Sequence, residues 1–461
     1  MFIFSIIKWL NAILEAGTFI LMNNRFVILI SATAALGGLL FGFDTAIISG
    51  TIPYIQAYFK LDAVMIGWAV SSGLIGCAMG SLAAGGLADK YGRRNSLIIC
   101  ALLFAISGIG AAISKQFFLF IIFRIIGGLG VGAAAMVSPM YIAEIAPASQ
   151  RGKLVALYQL AIVTGILLAY FTNYALNGTG EYNWRWMFGT QLIPSILFLL
   201  MLLSVPETPR WLVNNEQVKQ AVIVLQKIKN SLDVQHELTQ IQLSYSEGEK
   251  SSISRLFDKK YSKVLIAGVL LAIFQQVTGI NAILYYAPVI FNQTGLGNND
   301  SLLYTIIIGL VNVVSTFIAI GFVDKVGRKR FLVMGSVLMG ASLIVVAICF
   351  YFQFYKYYLI LISVLVYVAS FGCTLGAVTW VYLSEIFPNR IRALALSLST
   401  FALWLADFAI SYSFPVMTAH FSTSITLGIY AGFCLIAFIY MIVNIPETKG
   451  KSLEEIETLF L

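Results

Sequence analysis

Charged side chains are scarce in this chain. They make up 11% of its 461 residues, against about 25% in an ordinary soluble domain. That scarcity excludes the two or three soluble domains that the length alone would allow. Histidine is scarcer still: His236 lies in a polar stretch and His420 near the end of an apolar run, neither with a partner that would make a metal or catalytic site. The five cysteines, Cys77, Cys100, Cys349, Cys373 and Cys434, fall inside apolar runs with no paired spacing. They read as small packing residues, so neither a disulfide framework nor a metal site is implied. The apolar runs pair no nucleophile with a base, which argues against a membrane enzyme, and nothing in them calls for a cofactor.

What is present is apolar surface. Hydrophobic residues make up 59% of the chain and the mean hydropathy is +0.88. A helix needs about 20 mostly apolar residues to cross a bilayer. A dozen such runs are visible, near 26–50, 64–88, 96–114, 117–141, 153–176, 185–205, 263–290, 301–323, 331–353, 357–383, 393–417 and 423–445, numbered here as spans one to twelve. Their length and lack of period-two alternation predict helices rather than barrel strands. The net charge of +8 is a topology signal and not a sign of a nucleic-acid partner, because the basic residues occupy alternate loops. Lys90, Arg93, Arg94, Arg151, Lys153, Lys325, Arg328, Lys329, Arg330, Arg390 and Arg392 fall on one side, against Lys60, Lys115, Arg185 and Lys356 in the short loops of the other. Both termini and the loop between spans six and seven are therefore expected in the cytoplasm. Residues 3–21 are apolar but carry Lys8 and Glu15. An interfacial amphipathic helix would account for them; a translation start at Met22, the reading we favour, leaves a normal short tail. No small-residue cleavage site marks a signal peptide.

Short polar motifs occur twice. Asp89-Lys-Tyr-Gly-Arg-Arg94 returns as Asp324-Lys-Val-Gly-Arg-Lys329, the spacing Tyr141, Glu144, Pro147, Arg151 returns as Tyr382, Glu385, Pro388, Arg392, and Pro206-Glu-Thr-Pro-Arg210 returns as Pro446-Glu-Thr-Lys-Gly450. The offsets are 235, 241 and 240 residues, the signature of a duplicated half, and duplicated bundles are the plan of many transporters. The expected fold is an all-α membrane protein: an N-terminal extension at 1–25, a six-helix bundle at 26–205, a cytoplasmic helical linker at 206–262, a second six-helix bundle at 263–445 and a cytoplasmic tail at 446–461. Within the linker, 214–243 reads as short amphipathic helices. The glycines of span two (Gly73, Gly76, Gly80, Gly85, Gly86) and span four (Gly127, Gly128, Gly130, Gly132) read as close helix packing rather than a dinucleotide loop, since no strand precedes them.

Against this background a few polar residues stand out. Asp44 lies inside span one, where a lone charged carboxylate costs roughly 2.5 kcal/mol or more; it must be protonated, paired or facing a water-filled cavity. Arg124 in span four is its expected partner, in a proton carrier or in a static pair that fixes helix register. Span seven carries Gln275, Gln276, Gly279, Asn281, Tyr285 and Pro288. Amides offer donors and acceptors that match the hydroxyls of an uncharged polyol, and Gly279 and Pro288 let the helix break. Gln159, Asn312, Trp380 and Trp404 add to this set, which suits a small neutral sugar. Interhelical hydrogen bonding is the competing reading for any one of them. The charges Asp89, Arg93, Glu144, Arg151, Asp324, Arg328, Glu385 and Arg392 sit at helix ends on the basic side. A latch between the two halves is one reading; topology and capping is the other.

These motifs resemble the sugar-porter branch of the major facilitator superfamily, from about Arg25 onward, and within it the bacterial proton-coupled xylose symporters most of all. The resemblance rests on Phe41-Gly-Phe-Asp-Thr-Ala-Ile-Ile-Ser-Gly50, Asp89 to Arg94, Arg124-Ile-Ile-Gly-Gly128, Pro206 to Leu212, Gln275-Gln276 with Asn281 and Tyr285, and Pro446 to Gly450. It implies alternating access in a bacterial inner membrane, by a monomer that needs no cofactor beyond the proton it couples. It also implies that Asp44 matches the acid of the proton-coupled members, that Arg124 matches its partner, and that Gln159, Gln275, Gln276, Asn281, Asn312 and Trp380 match sugar-binding positions. The chain departs from the pattern in four places. Ile166 stands where a sugar-facing glutamine occurs in xylose symporters, Leu403 replaces an amide, Asp407 replaces a common asparagine, and Gly376-Ala-Val-Thr-Trp380 lacks the usual prolines. Pentose and hexose both stay open, with a lean to hexose. A passive facilitator and a sugar sensor on the same scaffold are the rival functions.

Overall fold

Twelve helices of the computed structural model are long and apolar enough to cross a membrane. The structure describes residues 25–147, 150–228, 231–246, 258–355, 357–388 and 391–451, with Leu256 and residues 455–456 and 459–460; the N-terminal extension at 1–24 lies outside them. Spans one to six are Arg25–Phe59, Ala63–Tyr91, Arg93–Ile113, Phe117–Ile145, Arg151–Leu176 and Asn183–Ser204. Spans seven to twelve are Lys259–Asn292, Asn298–Val323, Arg328–Tyr351, Tyr358–Ile386, Arg392–His420 and Thr423–Asn444. All regular structure among the described residues is helical. This is what a hydrocarbon solvent demands, since a helix satisfies its backbone groups internally. The outer faces are correspondingly apolar: Leu102, Ile106, Ile109 and Ile113 recur at helical spacing along span three and are all exposed, a stripe suited to lipid.

The two halves repeat each other's packing. Span one packs along span five as the first part of span seven packs along span eleven. Span two meets span four as span eight meets span ten, and span three meets six as nine meets twelve. The halves join where span two lies along span eleven and span five along span eight. A two-fold exchange of the halves swaps those two contacts, so the interface obeys the same pseudo-symmetry as the sequence.

Three spans are broken. Span seven consists of helices Ser262–Val277 and Ile280–Asn292 with Gly279 between them at φ +94°, a left-handed conformation that glycine adopts without steric cost. Span ten breaks at Thr374, between Tyr357–Cys373 and Leu375–Ile386. Span six breaks at Thr190 and Gln191, between Asn183–Gly189 and Leu192–Ser204. Between spans six and seven the described residues include three short helices, Pro209–Asn214, Val218–Ile228 and Ser231–Ser246. The first is capped by the Thr208 hydroxyl, and its Trp211 Nε1 donates to the Asp89 carbonyl at 2.9 Å, which seats the linker against the turn between spans two and three.

The repeated motifs converge on one construction at this end of each half. Gly92 and Gly327 turn the chain at φ +91° and +105°, and a Cβ on either would lie 2.2 or 2.6 Å from the carboxylate of Glu207 or Glu447. Those carboxylates accept the first amides of the next span: Glu207 from Arg93 and Arg94 at 3.0 and 2.9 Å, Glu447 from Arg328 and Lys329 at 2.9 and 3.1 Å. An acid at a helix N-terminus also meets the positive end of the helix dipole. Tyr141 donates to the Pro206 carbonyl, and Tyr382 to that of Pro446 at 3.1 Å. Three motifs far apart in sequence thus form a single clamp, made twice.

Candidate functional site

At the middle of the first half, a carboxylate and a guanidinium sit in an otherwise apolar interior. Asp44 and Arg124 are 1% and 3% exposed. Arg124 Nη1 lies 3.2 and 3.1 Å from the two Asp44 carboxylate oxygens and 3.3 Å from the Asp44 carbonyl. The Gln191 side-chain amide donates to Asp44 Oδ1 at 2.9 Å, and the Arg124 guanidinium lies 5.7 Å from the Phe188 ring centroid. Spans one, four and six therefore meet at one buried charge pair. Glycine makes room for it: a Cβ on Gly127 would sit 3.3 Å from Asp44 Oδ1 and one on Gly73 3.4 Å from Arg124 Nη2. Beside the pair is a small cavity of about 10 Å³, lined by Asp44, Thr45, Gly73, Cys77 and Arg124 and, from the other half, by Tyr285. It offers room for about one water molecule.

Across the cavity, the second half presents a chain of amides. Gln275 Nε2 donates to the carbonyls of Leu375 and Gly376 at 2.9 and 3.4 Å, in the first turn of the second helix of span ten. Gln276 Nε2 donates to Gln275 Oε1 at 3.4 Å, and Asn281 Nδ2 donates to Gln276 Oε1 at 2.9 Å. The same Asn281 amide donates to Asp407 Oδ2 at 2.6 Å, and the Ser411 hydroxyl donates to Asp407 Oδ1 at 3.0 Å. Trp404, one turn before Asp407, packs against Phe41 of span one with ring centroids 5.4 Å apart and planes tilted by 60°, and its buried Nε1 has no hydrogen-bond partner among the described residues. Tyr170 of span five donates to the Leu284 carbonyl at 2.9 Å, tying span seven to the first half.

Comparison with known proteins decides the family. The model of the family described as sugar (and other) transporter matches residues 30–460. The arabinose-proton symporter of Bacillus subtilis (strain 168) is 42% identical over 442 residues, covering 95% of both chains. The D-xylose-proton symporter of Escherichia coli (strain K12) is 41% identical over 476 residues, covering 95% of this chain and 96% of its own. Among solved structures, a partially occluded inward-open form of the E. coli xylose transporter XylE superposes with a TM-score of 0.84 at 39% identity, covering 93% of this chain and all of that one. The form bound to 6-bromo-6-deoxy-D-glucose gives 0.81 at 40%, covering 95% and all. The chain belongs to the sugar transporter family. Its fold is that of the major facilitator superfamily.

In this sugar transporter the residues expected to bind substrate are not all gathered in one place. Gln275, Gln276, Asn281, Tyr285 and Trp404 lie around the break of span seven. Asn312 of span eight is buried, with Oδ1 3.2 Å from where a Cβ on Gly372 would stand, so it faces span ten. Gln159 is half-buried, and Trp380, at 36%, is exposed. Neither has a hydrogen bond to the amide chain. The buried Ile166 packs where span five crosses span one: its backbone amide is 3.0 Å from the place of a Cβ on Gly42.

The helix-end charges, read either as a latch between the halves or as topology and capping, form these pairs among the described residues. Arg93 pairs with Glu144 at 2.9 Å and with Asp89 at 3.6 Å; Arg328 pairs with Glu385 at 2.7 Å, and the Thr448 hydroxyl donates to the other Glu385 oxygen at 2.7 Å. Every one of these ties lies within a single half, because each arginine starts a span directly beside the span end that carries its acid. Arg392 Nε donates to the Phe387 carbonyl at 3.0 Å, and Arg151 is exposed with no ion pair to Glu144. The side chain of Asp324 lies outside the described residues. Sequence reasoning missed Gln191. Its signal was a lone amide in Thr190-Gln-Leu-Ile193, between Gly189 and Pro194 inside an apolar run.

Proposed function

We propose that this protein is a proton-coupled monosaccharide symporter that works by alternating access, with Asp44 as the acid that carries the proton. Relatives at 41–42% identity are named as arabinose-proton and D-xylose-proton symporters, and a glucose transport protein of Synechocystis is 39% identical over 456 residues. The observation that carries the reading is the Asp44, Arg124 and Gln191 cluster: a buried charge pair beside a cavity to which the second half contributes only Tyr285. Arginine keeps its proton, so when Asp44 takes one up, the attraction between spans one and four is lost. The amide chain of span seven hydrogen-bonds the sugar hydroxyls, and with sugar bound and Asp44 neutral the two halves rock to the other side, where both cargoes leave. Asp44 then ionises, recovers Arg124 and resets the empty carrier. The basic loops support an orientation with both termini and the linker in the cytoplasm, for a monomer in a bacterial inner membrane. A potential of about 100 mV supplies about 2.3 kcal/mol for each charge moved, enough for roughly fifty-fold accumulation.

The test is internal pH in proteoliposomes while D-xylose, L-arabinose and D-glucose are added outside one at a time, with empty liposomes as controls. Acidification with one sugar is expected and names the substrate. Asp44→Asn should abolish accumulation and leave sugar exchange intact. Counterflow of a sugar with no pH change would instead make the protein a passive facilitator and Asp44 a structural residue.

A further inference from the structure

The mechanism above leaves one buried acid unused. Asp407 of span eleven is 1% exposed, and among the described residues no lysine or arginine pairs with it. Its two oxygens accept from neutral groups only, the Asn281 amide at 2.6 Å and the Ser411 hydroxyl at 3.0 Å. Asp44 has an arginine and an amide. Asp407 stands on span eleven, which lies along span two, and Cys77 of span two lines the cavity beside Asp44. Behind Asp407, Tyr430 of span twelve donates to the Ile410 carbonyl, leaving that side of the acid without a charge.

We propose that Asp407 is a second proton carrier, so that this protein moves two protons with each sugar, one on an acid of each half. The proposal rests on the symport reading and extends it. Its geometric basis is that the contacts of Asp407 serve both protonation states. A hydroxyl both donates and accepts, so the 3.0 Å contact to Ser411 persists when the proton moves onto Asp407 Oδ1 and the Ser411 oxygen accepts. The coupling to sugar runs through Asn281. A sugar hydroxyl that accepts from the Asn281 amide takes the donor that Asp407 Oδ2 now holds. A carboxylate that loses a hydrogen bond in a dry site is disfavoured relative to the neutral acid, so sugar binding draws a proton onto Asp407. By linkage, a proton on Asp407 releases Asn281 and tightens sugar binding by the same factor. In an amide-only site, an asparagine at this position would hydrogen-bond the sugar but carry no proton.

The experiment is the proton-to-sugar ratio in proteoliposomes, from parallel initial rates of internal acidification and of radiolabelled uptake, with D-xylose, D-glucose and L-arabinose as probes. The expected ratio is two for the wild type, one for Asp407→Asn and two for Asp407→Glu. At a fixed potential and equal pH, steady-state accumulation by Asp407→Asn should fall to about the square root of the wild-type value. A wild-type ratio of one overturns the proposal and leaves the symport reading standing. Sugar entry with no proton flux overturns the symport reading itself. Should Asp407→Asn fail to fold, the wild-type ratio decides alone. An Asp407→Asn ratio equal to that of the wild type would also sink the proposal.

Discussion

Asp44 is held by contacts of different kinds: a charged partner in Arg124, a neutral donor in Gln191, and small residues that leave space around both. The neutral donor is the part open to substitution without removing a charge. A hydrogen bond to a buried ion contributes about 1.5–3 kcal/mol, so Gln191→Leu should lower stability by about 2 kcal/mol, read as a lower melting temperature in detergent. In an Asp44→Asn background the same substitution should cost less, because groups in direct contact do not add independently. Equal costs in both backgrounds would show that Gln191 acts elsewhere. At this scale the sequence disclosed the ions and hid the amide. An acid and an arginine inside apolar runs call for partners wherever they occur, since nothing else at that depth can offset their desolvation. A glutamine six residues into a run is equally consistent with the membrane boundary, and only the break of span six turns it inward.

Helix pairs show the same division. The glycines of spans two and four do bring their backbones together: a Cβ on Gly128 would lie 1.8 Å from the Gly73 carbonyl oxygen, whereas one on Gly85 meets nothing within 4 Å. Gly128→Ala must therefore push two spans apart at the level of the buried charge pair, and overpacking of this kind costs about 1–3 kcal/mol. Gly85→Ala should be neutral or gain up to about 1 kcal/mol from helix propensity. Melting curves of the two variants should move in opposite directions or not together; a shared shift would refute the packing account. The twelve spans were legible because length and hydropathy decide them, and the break of span seven because Gly279 needs a left-handed turn. The break of span ten was not. It occurs at Thr374, two residues from a glycine on either side and with no proline, and Gln275, from another span, donates to the carbonyls of Leu375 and Gly376 beside it. Local sequence carries no trace of a partner a hundred residues away.

At the scale of the whole molecule, the repeated clamps bind each half to itself. Arg93, Glu144 and Glu207 join spans two, three, four and six at one end of the first half, and Arg328, Glu385 and Glu447 do the same in the second. The halves meet along spans two and eleven and spans five and eight, and the ion pairs named above each lie within one half. Such a distribution predicts two stiff bodies on a softer joint, the condition for rocking about a central site. Pairs of spin labels can separate the two cases on a background without reactive cysteines. Labels at Tyr91 and Lys153, both exposed and both in the first half, should report one distance distribution whether or not sugar is present. Labels at Tyr91 and Arg330, exposed at the same end of opposite halves, should report a distribution that moves by several ångströms when a transported sugar is added, since rigid-body closure relocates one half against the other. A shift within the first half as large as the shift between halves would mean that the clamps yield during transport, and the repeated motifs would then be working parts of the gate rather than the frame on which it turns.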